Sequence, residues 1–249
     1  MTGTALEGRI VAITGASRGL GAAFAHTLAA EGARIALLAR PSADLDAIAG
    51  DLPDALKLPC DITRPDEVRA AFARIAEVFG RLDALVNNAA IIRPSPAEEE
   101  DDAEVQAQVA TNLLGPIWCT RSAVPLLRAA GGGDIVNISS LAVVRPLPYL
   151  NIYGATKGAL ESLSAHHREE LRDQNIRVTV LRAGSVGPTS IGAEWRPDRG
   201  RQYFETSEAW GATHYVGTAM ASQTMAGMLV RLLTLPREAV VDVVQVRSI

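Results

Sequence analysis

Arg9 to Gly21 read RIVAITGASRGLG. The first six residues are mostly branched and apolar, which predicts a strand buried on both faces. Glycines 15, 19 and 21 follow at once. Without a Cβ they let the backbone turn sharply and lie close to a ligand. From Ser17 to Glu31 the apolar residues recur at helical spacing, and Gly32 stops the pattern. Strand, glycine loop and helix N-terminus in that order build an anion site. The loop presents N–H groups, and the helix end adds partial positive charge suited to a pyrophosphate. The spacing is G-x-x-x-G-x-G, which differs from the G-x-G-x-x-G dinucleotide signature.

The same alternation continues along the chain. Strands are expected at Arg34–Ala39, Leu56–Pro59, Leu82–Asn87, Asp134–Ser139, Arg177–Leu181 and Val240–Val246. Helices are expected between them, including long ones over 103–130 and 153–173 and a last one over 218–235. Strands separated by helical crossovers imply a parallel sheet with helices on both faces. The fold class is therefore α/β: one doubly wound Rossmann-type domain over residues 1–249 with a seven-stranded sheet. Ligands of such sheets bind at the carboxyl ends of the strands.

Composition narrows the class. With 249 residues and 48% hydrophobic content, the chain can bury one large core. A net charge of −4 leaves no basic footprint for nucleic acid. No apolar run is long enough for a membrane span, and the first residues lack a secretory pattern. Cys60 and Cys119 are the two cysteines, and neither they nor the four histidines show metal-ligand spacing. These readings give a cytoplasmic protein, without a metal, acting on a small molecule.

Strand two ends Leu38-Ala39-Arg40. An acid at this point accepts hydrogen bonds from the ribose hydroxyls of NAD, whereas arginine suits the 2′-phosphate of NADP. Arg40, with Arg18 in the glycine loop, predicts NADP(H) over NAD(H). Tyr153 and Lys157 lie four apart, so phenol and ammonium share a helix face. Lys157 is one of two lysines in the chain. A cation beside a phenol lowers its pKa from about 10 toward neutrality, which prepares it to exchange a proton.

These segments resemble the short-chain dehydrogenases/reductases, in the single-domain branch of similar length. Thr14 to Gly21 matches TGxxxGxG. Asp61-Ile62 matches the pair lining the adenine. Asn87-Asn88-Ala89-Ala90 matches NNAG with Ala90 for glycine, and Tyr153 to Lys157 matches YxxxK. Asn112 sits where the family carries its catalytic asparagine. Ser140, thirteen residues before Tyr153, matches the catalytic serine, with Ser139 as its nearest decoy. The Pro-Gly pair usual after strand six is Ala183-Gly184 here, which puts the loop's rigidity in question.

The resemblance implies an alcohol dehydrogenase or ketoreductase. Tyr153 is its general acid or base, Ser140 positions the substrate oxygen, and Lys157 lowers the phenol pKa and holds the nicotinamide ribose. Asn112, through its side chain and a helix irregularity near Gly115-Pro116, holds a water that links Lys157 to solvent. Cofactor contacts are implied at Gly15, Ser17, Arg18, Gly19, Leu20, Gly21, Arg40, Asp61, Ile62, Asn88, Ala89, Ala90, Tyr153, Lys157, Gly184 and Val186.

The chain has eleven aromatic residues, and Trp195, Tyr203, Phe204, Trp210 and Tyr215 cluster before the last helix. In the resemblance this segment, about 187–217, is the substrate lid. Substrate contacts are expected at Ser140, Ala142, Tyr149, Tyr153, Trp195 and Trp210. The aromatic content suggests an apolar, cyclic or aromatic ketone or its alcohol. The two long helices pair between subunits in the family, implying a homodimer or homotetramer. Two other readings stand beside this one: an NAD-dependent enzyme working oxidatively, and a non-catalytic nucleotide sensor of the same fold.

Overall fold

The computed structural model describes residues 4–187, 189, 192, 194–212 and 218–248. Six crossovers wind β1 (Ile10–Thr14), β2 (Arg34–Ala39), β3 (Leu56–Pro59), β4 (Ala84–Asn87), β5 (Gly133–Ser140), β6 (Ile176–Ala183) and, last in the chain, β9 (Val243–Val246) into one sheet of order β3-β2-β1-β4-β5-β6-β9. Every pairing in it is parallel. The seven-stranded expectation holds, with β9 three residues shorter at its start than predicted. The order reverses between β1 and β4, and this switch point opens a crevice at the strands' carboxyl ends.

Alternation along the strands divides the core. Val11, Ile13, Ile35 and Leu37 pack on one face with Phe24 and Leu28 of α1 (Gly19–Ala30). Met225 and Leu229 of α8 (Ser222–Leu233) join them. Ile10, Ala12, Ala36 and Leu38 pack on the other face with Phe72 and Ile75 of α3 (Pro65–Phe79). Ala123 and Leu127 of α5 (Gly115–Ala129) complete that layer. Each fully buried Leu, Ile or Phe stabilises the fold by about 1.5–3 kcal/mol. α2 (Ala43–Asp51) follows β2 and is capped by Ser42, whose hydroxyl accepts from Leu45 N at 3.2 Å.

The long helix expected over 103–130 is interrupted. α4 (Asp102–Val109) passes through a π turn, Ala110–Leu114, into α5. Pro116 has no N–H to give the carbonyl of Asn112 four residues back, so an α-type bond cannot form there. A Cβ on Gly115 would stand 2.5 Å from Ile62 Cδ1, so this glycine lets the broken helix approach the β3 loop.

α6 (Asn151–Leu171) turns Tyr153, Thr156, Lys157, Leu160 and Ser164 inward at i, i+3, i+4, i+7 and i+11 spacing. Asn137 Nδ2 donates to Ser164 Oγ at 2.8 Å, which fixes α6 against β5. Beyond β6, the short β7 (Val186–Gly187) pairs with β8 (Met220–Ala221), and α7 (Pro197–Ala209) lies between them. This pairing was not foreseen in the sequence. It supplies the order that the missing proline put in question. Gly184 N donates to Val246 O at 2.8 Å and Met220 N to Ser185 O at 2.9 Å, so the Ala183-Gly184 turn is held from two sides.

Among the described residues no helix is long and apolar enough to cross a membrane, and no cluster of side chains could hold a metal ion.

Candidate active site

A cavity of about 970 Å³ fills the crevice at the switch point. Every residue expected to touch the dinucleotide lines it, from the glycine loop through Arg40, Asp61 and Ala90 to Gly184 and Val186.

The first loop is built tightly. A Cβ on Gly21 would fall 2.1 Å from Gly15 O and 2.6 Å from Asn88 Nδ2. Gly15 adopts φ +64°, and a Cβ there would reach 2.8 Å from Ala89 Cα. Thr14 Oγ1 accepts from the N–H groups of Asn88 and Ala89 at 3.0 and 3.1 Å, so loop one and loop four are stitched together. No side chain caps α1, which leaves its first-turn N–H groups available to an anion at the cavity wall. Asp61 is preset by Thr63, whose N–H and hydroxyl both donate to its Oδ1 at 2.9 and 2.8 Å. These residues fit a phosphate-bearing dinucleotide: an uncapped helix end, two loops in backbone contact, and Arg18 and Arg40 at one rim.

At the other end stand Ser140, Tyr153 and Lys157. The decoy is resolved by geometry. Ser139 Oγ donates to Glu161 Oε1 at 2.5 Å, and Glu161 in turn holds Arg182, so Ser139 is committed to a structural ion pair. Ser140 Oγ accepts from Ala142 N at 3.1 Å and keeps its proton for another partner.

The charge state of the pair departs from the sequence reading. Burial pushes the Tyr153 phenol above its ordinary value, and a hydrogen bond with Ser140 offsets this in part. Lys157 is fully buried, and burial brings its ammonium down to about 8. Its Nζ donates to Ile138 O at 2.8 Å and lies 5.9 Å from the Tyr153 ring centre. Thus the expected depression of the phenol pKa is reversed. The desolvation of a buried phenolate outweighs the help of a cation that is distant and bound elsewhere.

Asn112 is buried beneath the cavity and does not line it. Its side chain clamps Ile91, accepting from Ile91 N and donating to Ile91 O, both at 2.9 Å. Nδ2 also lies 3.2 Å from Thr156 Oγ1, beside Lys157. The side chain thus anchors the loop after β4, and the helix irregularity expected near Gly115-Pro116 is the π turn that carries Asn112.

The substrate side is partly redrawn. Trp195 lines the cavity, with Tyr203 at 5.2 Å between ring centres in an edge-on contact. Three other expected contacts do not line it. Ala142, in the short turn Leu141–Val143, is buried in a cluster with Ile92, Leu150 and Tyr153. Tyr149 adopts a left-handed backbone (φ 59°), and its hydroxyl accepts from Thr206 at 3.2 Å. Trp210 caps the end of α7 and is 61% exposed. Tyr215 lies outside the described residues. The wall is formed instead by Ile92, Leu147, Leu150, Tyr203 and Phe204. Arg93 and Glu194, also in the wall, carried no motif by which the sequence could single them out.

A parallel doubly wound sheet with a glycine loop at an uncapped helix end and a Ser-Tyr-Lys set at the switch point is the architecture of a nucleotide-dependent oxidoreductase. The short chain dehydrogenase family model matches residues 9–200, and the chain belongs to that family. It is 34% identical over 186 and 179 residues, respectively, to two proteins of the family. The second is 3-oxoacyl-(acyl-carrier-protein) reductase of Bos taurus, matched over 72% of this chain and 76% of that protein. L-sorbose reductase from Gluconobacter frateurii, solved with NADPH and L-sorbose, superposes with a TM-score of 0.84. It is 28% identical, with 99% of this chain and 97% of that one covered. 3-Ketoacyl-(acyl-carrier-protein) reductase from Brucella melitensis, solved with NADH, also gives 0.84 at 28% identity, covering 97% and 98%.

Proposed function

We propose that this enzyme uses NADP(H) to interconvert a ketone and a secondary alcohol on an apolar, ring-bearing substrate. The observation that carries the reading is a cavity with two chemically distinct ends. Arg18 and Arg40 stand at one, and Tyr153 with Ile92, Leu147, Leu150 and Trp195 at the other. Similar folds hold NADPH and NADH, so the choice rests on this chain's own residues. Arg40 at the end of β2 favours the 2′-phosphate.

Bound there, the nicotinamide supplies or accepts a hydride. The protein handles the proton. Burial keeps the Tyr153 phenol protonated, so it is charged with a proton to give to a carbonyl oxygen in the reductive direction. The Ser140 hydroxyl donates to the same oxygen and steadies the developing charge. The Lys157 ammonium, held by Ile138 O and 5.9 Å from the Tyr153 ring centre, would favour the phenolate left behind through space and would meet the nicotinamide ribose. Asn112 positions the loop after β4 and the π turn against α6. The apolar wall favours hydrocarbon rings, and the segment 187–217 serves as the lid of a single domain. Copies of the chain would pair through α4–α5 and α6 as a dimer or tetramer in the cytoplasm.

The test is NADPH oxidation with cyclic and aryl ketones, alongside NADPH binding followed by nicotinamide fluorescence. Wild-type protein should turn over. Tyr153→Phe should lose a factor of about 10²–10⁴ or more while binding NADPH as before. Substantial activity in Tyr153→Phe would overturn the proton role.

A further inference from the structure

Arg18, Arg40 and Arg93 follow β1, β2 and β4, yet they converge on one carboxylate. Glu194 Oε1 accepts from Arg18 at 2.7 Å and lies 3.7 Å from Arg40 NH2, while Oε2 accepts from Arg93 at 2.7 Å. Hydrogen bonds from Arg93 and then Arg18 hold the Glu194 carboxyl below its ordinary value, so it is ionised. The acid that β2 lacks at its end is thus present in space, delivered by the lid segment some 150 residues later.

We propose that Glu194 is a specificity-determining residue for the cofactor: a carboxylate that competes with the 2′-phosphate of NADP(H) for Arg18 and Arg40, and that accepts hydrogen bonds from the bare ribose hydroxyls of NAD(H). The proposal rests on the reading that Arg18 and Arg40 meet the 2′-phosphate. A phosphate of charge about −1.5 to −2 cannot share those guanidiniums with a carboxylate without repulsion. Arg93 gives the displaced carboxylate a place to stay, since it binds the other oxygen. A bare ribose carries no such charge, and a carboxylate is the group that reads its hydroxyls. Glu194 therefore narrows the discrimination that the two arginines would otherwise impose. It also links the two ends of the cavity, because Trp195 of the substrate wall is the next residue.

The experiment compares NADPH and NADH dissociation constants, by fluorescence titration, for wild type, Glu194→Gln, Glu194→Ala and Arg40→Ala. Glu194 is partly exposed and Gln is isosteric, so folding should survive; melting temperatures check it. Both Glu194 variants should tighten NADPH and weaken NADH, moving the ratio about tenfold or more toward NADPH. The shift should shrink at high salt, where charges are screened. An unchanged ratio in the Glu194 variants, with a lowered NADPH preference in Arg40→Ala, would overturn this proposal and leave the arginine reading standing. Unchanged ratios in all three variants would remove both. Weaker NADPH binding in Glu194→Gln would make the carboxylate a clasp over the cofactor and would also overturn the proposal.

Discussion

Lys157 lies a helical turn beyond Tyr153, yet its ammonium is bound to the Ile138 carbonyl at 2.8 Å and stands 5.9 Å from the Tyr153 ring centre. Burial brings it to about 8, within reach of a working pH. If its charge supports the phenolate left after proton transfer, ketone reduction should fall as pH rises through about 8. A profile of kcat/KM against pH checks this. A rate that stays flat to pH 10 would separate Lys157 from the proton step.

The same burial has a cost in stability. The folded value of about 8 lies below the ordinary 10.5, so between those values the unfolded chain binds the extra proton. Stability attributable to Lys157 therefore rises with pH across that window, and the full penalty is present below pH 8. Lys157→Met should stabilise the fold by about 2 kcal/mol at neutral pH, after allowing for the orphaned Ile138 carbonyl. The gain should fade toward pH 10.5. Denaturant melts at two pH values measure it, and a variant less stable than wild type at pH 7 would show that the hydrogen bond outweighs the desolvation.

Gly21 tests the phosphate loop. The added methyl of Gly21→Ala would meet Gly15 O at 2.1 Å, a backbone atom that yields only if the loop shifts. A loss of about 1–3 kcal/mol is expected, together with weakened binding of NADPH and NADH alike. Calorimetric melts and titrations report both, and an unaffected affinity would mean that the loop can shift without losing its grip on the phosphates.

Arg40→Asp should move cofactor preference toward NAD(H). The substitution removes a guanidinium from the rim and supplies the acid that β2 lacks. Ratios of kcat/KM for NADPH and NADH give the answer; an unchanged ratio would place Arg40 away from the ribose.

Trp195→Ala should raise KM for bulky cyclic ketones more than for small acyclic ones. Trp195 packs on Tyr203 at 5.2 Å and on Phe204 at 6.2 Å, so its loss opens the apolar end of the cavity. A uniform change across substrates would show that the ring orders the lid without reading substrate size.

The fold was legible in the sequence because its determinants are local. RIVAIT followed by spaced glycines makes a strand, a loop and a helix start whatever surrounds them. Repetition of that unit leaves the parallel sheet as the arrangement that buries every strand. The site's main residues were legible for a similar reason: each belongs to a short motif of fixed spacing, in a loop, at the end of a strand or on one face of a helix. Tertiary structure decided the rest. Solvation, which no spacing reports, reversed the expected pKa of Tyr153. A left-handed residue and a helix end carried Tyr149 and Trp210 away from the cavity. The Arg18–Glu194–Arg93 contact joins residues up to 176 positions apart. Local sequence set the elements and their loops; the charge states and long-range partners depend on burial and distance, which exist only once the chain has folded.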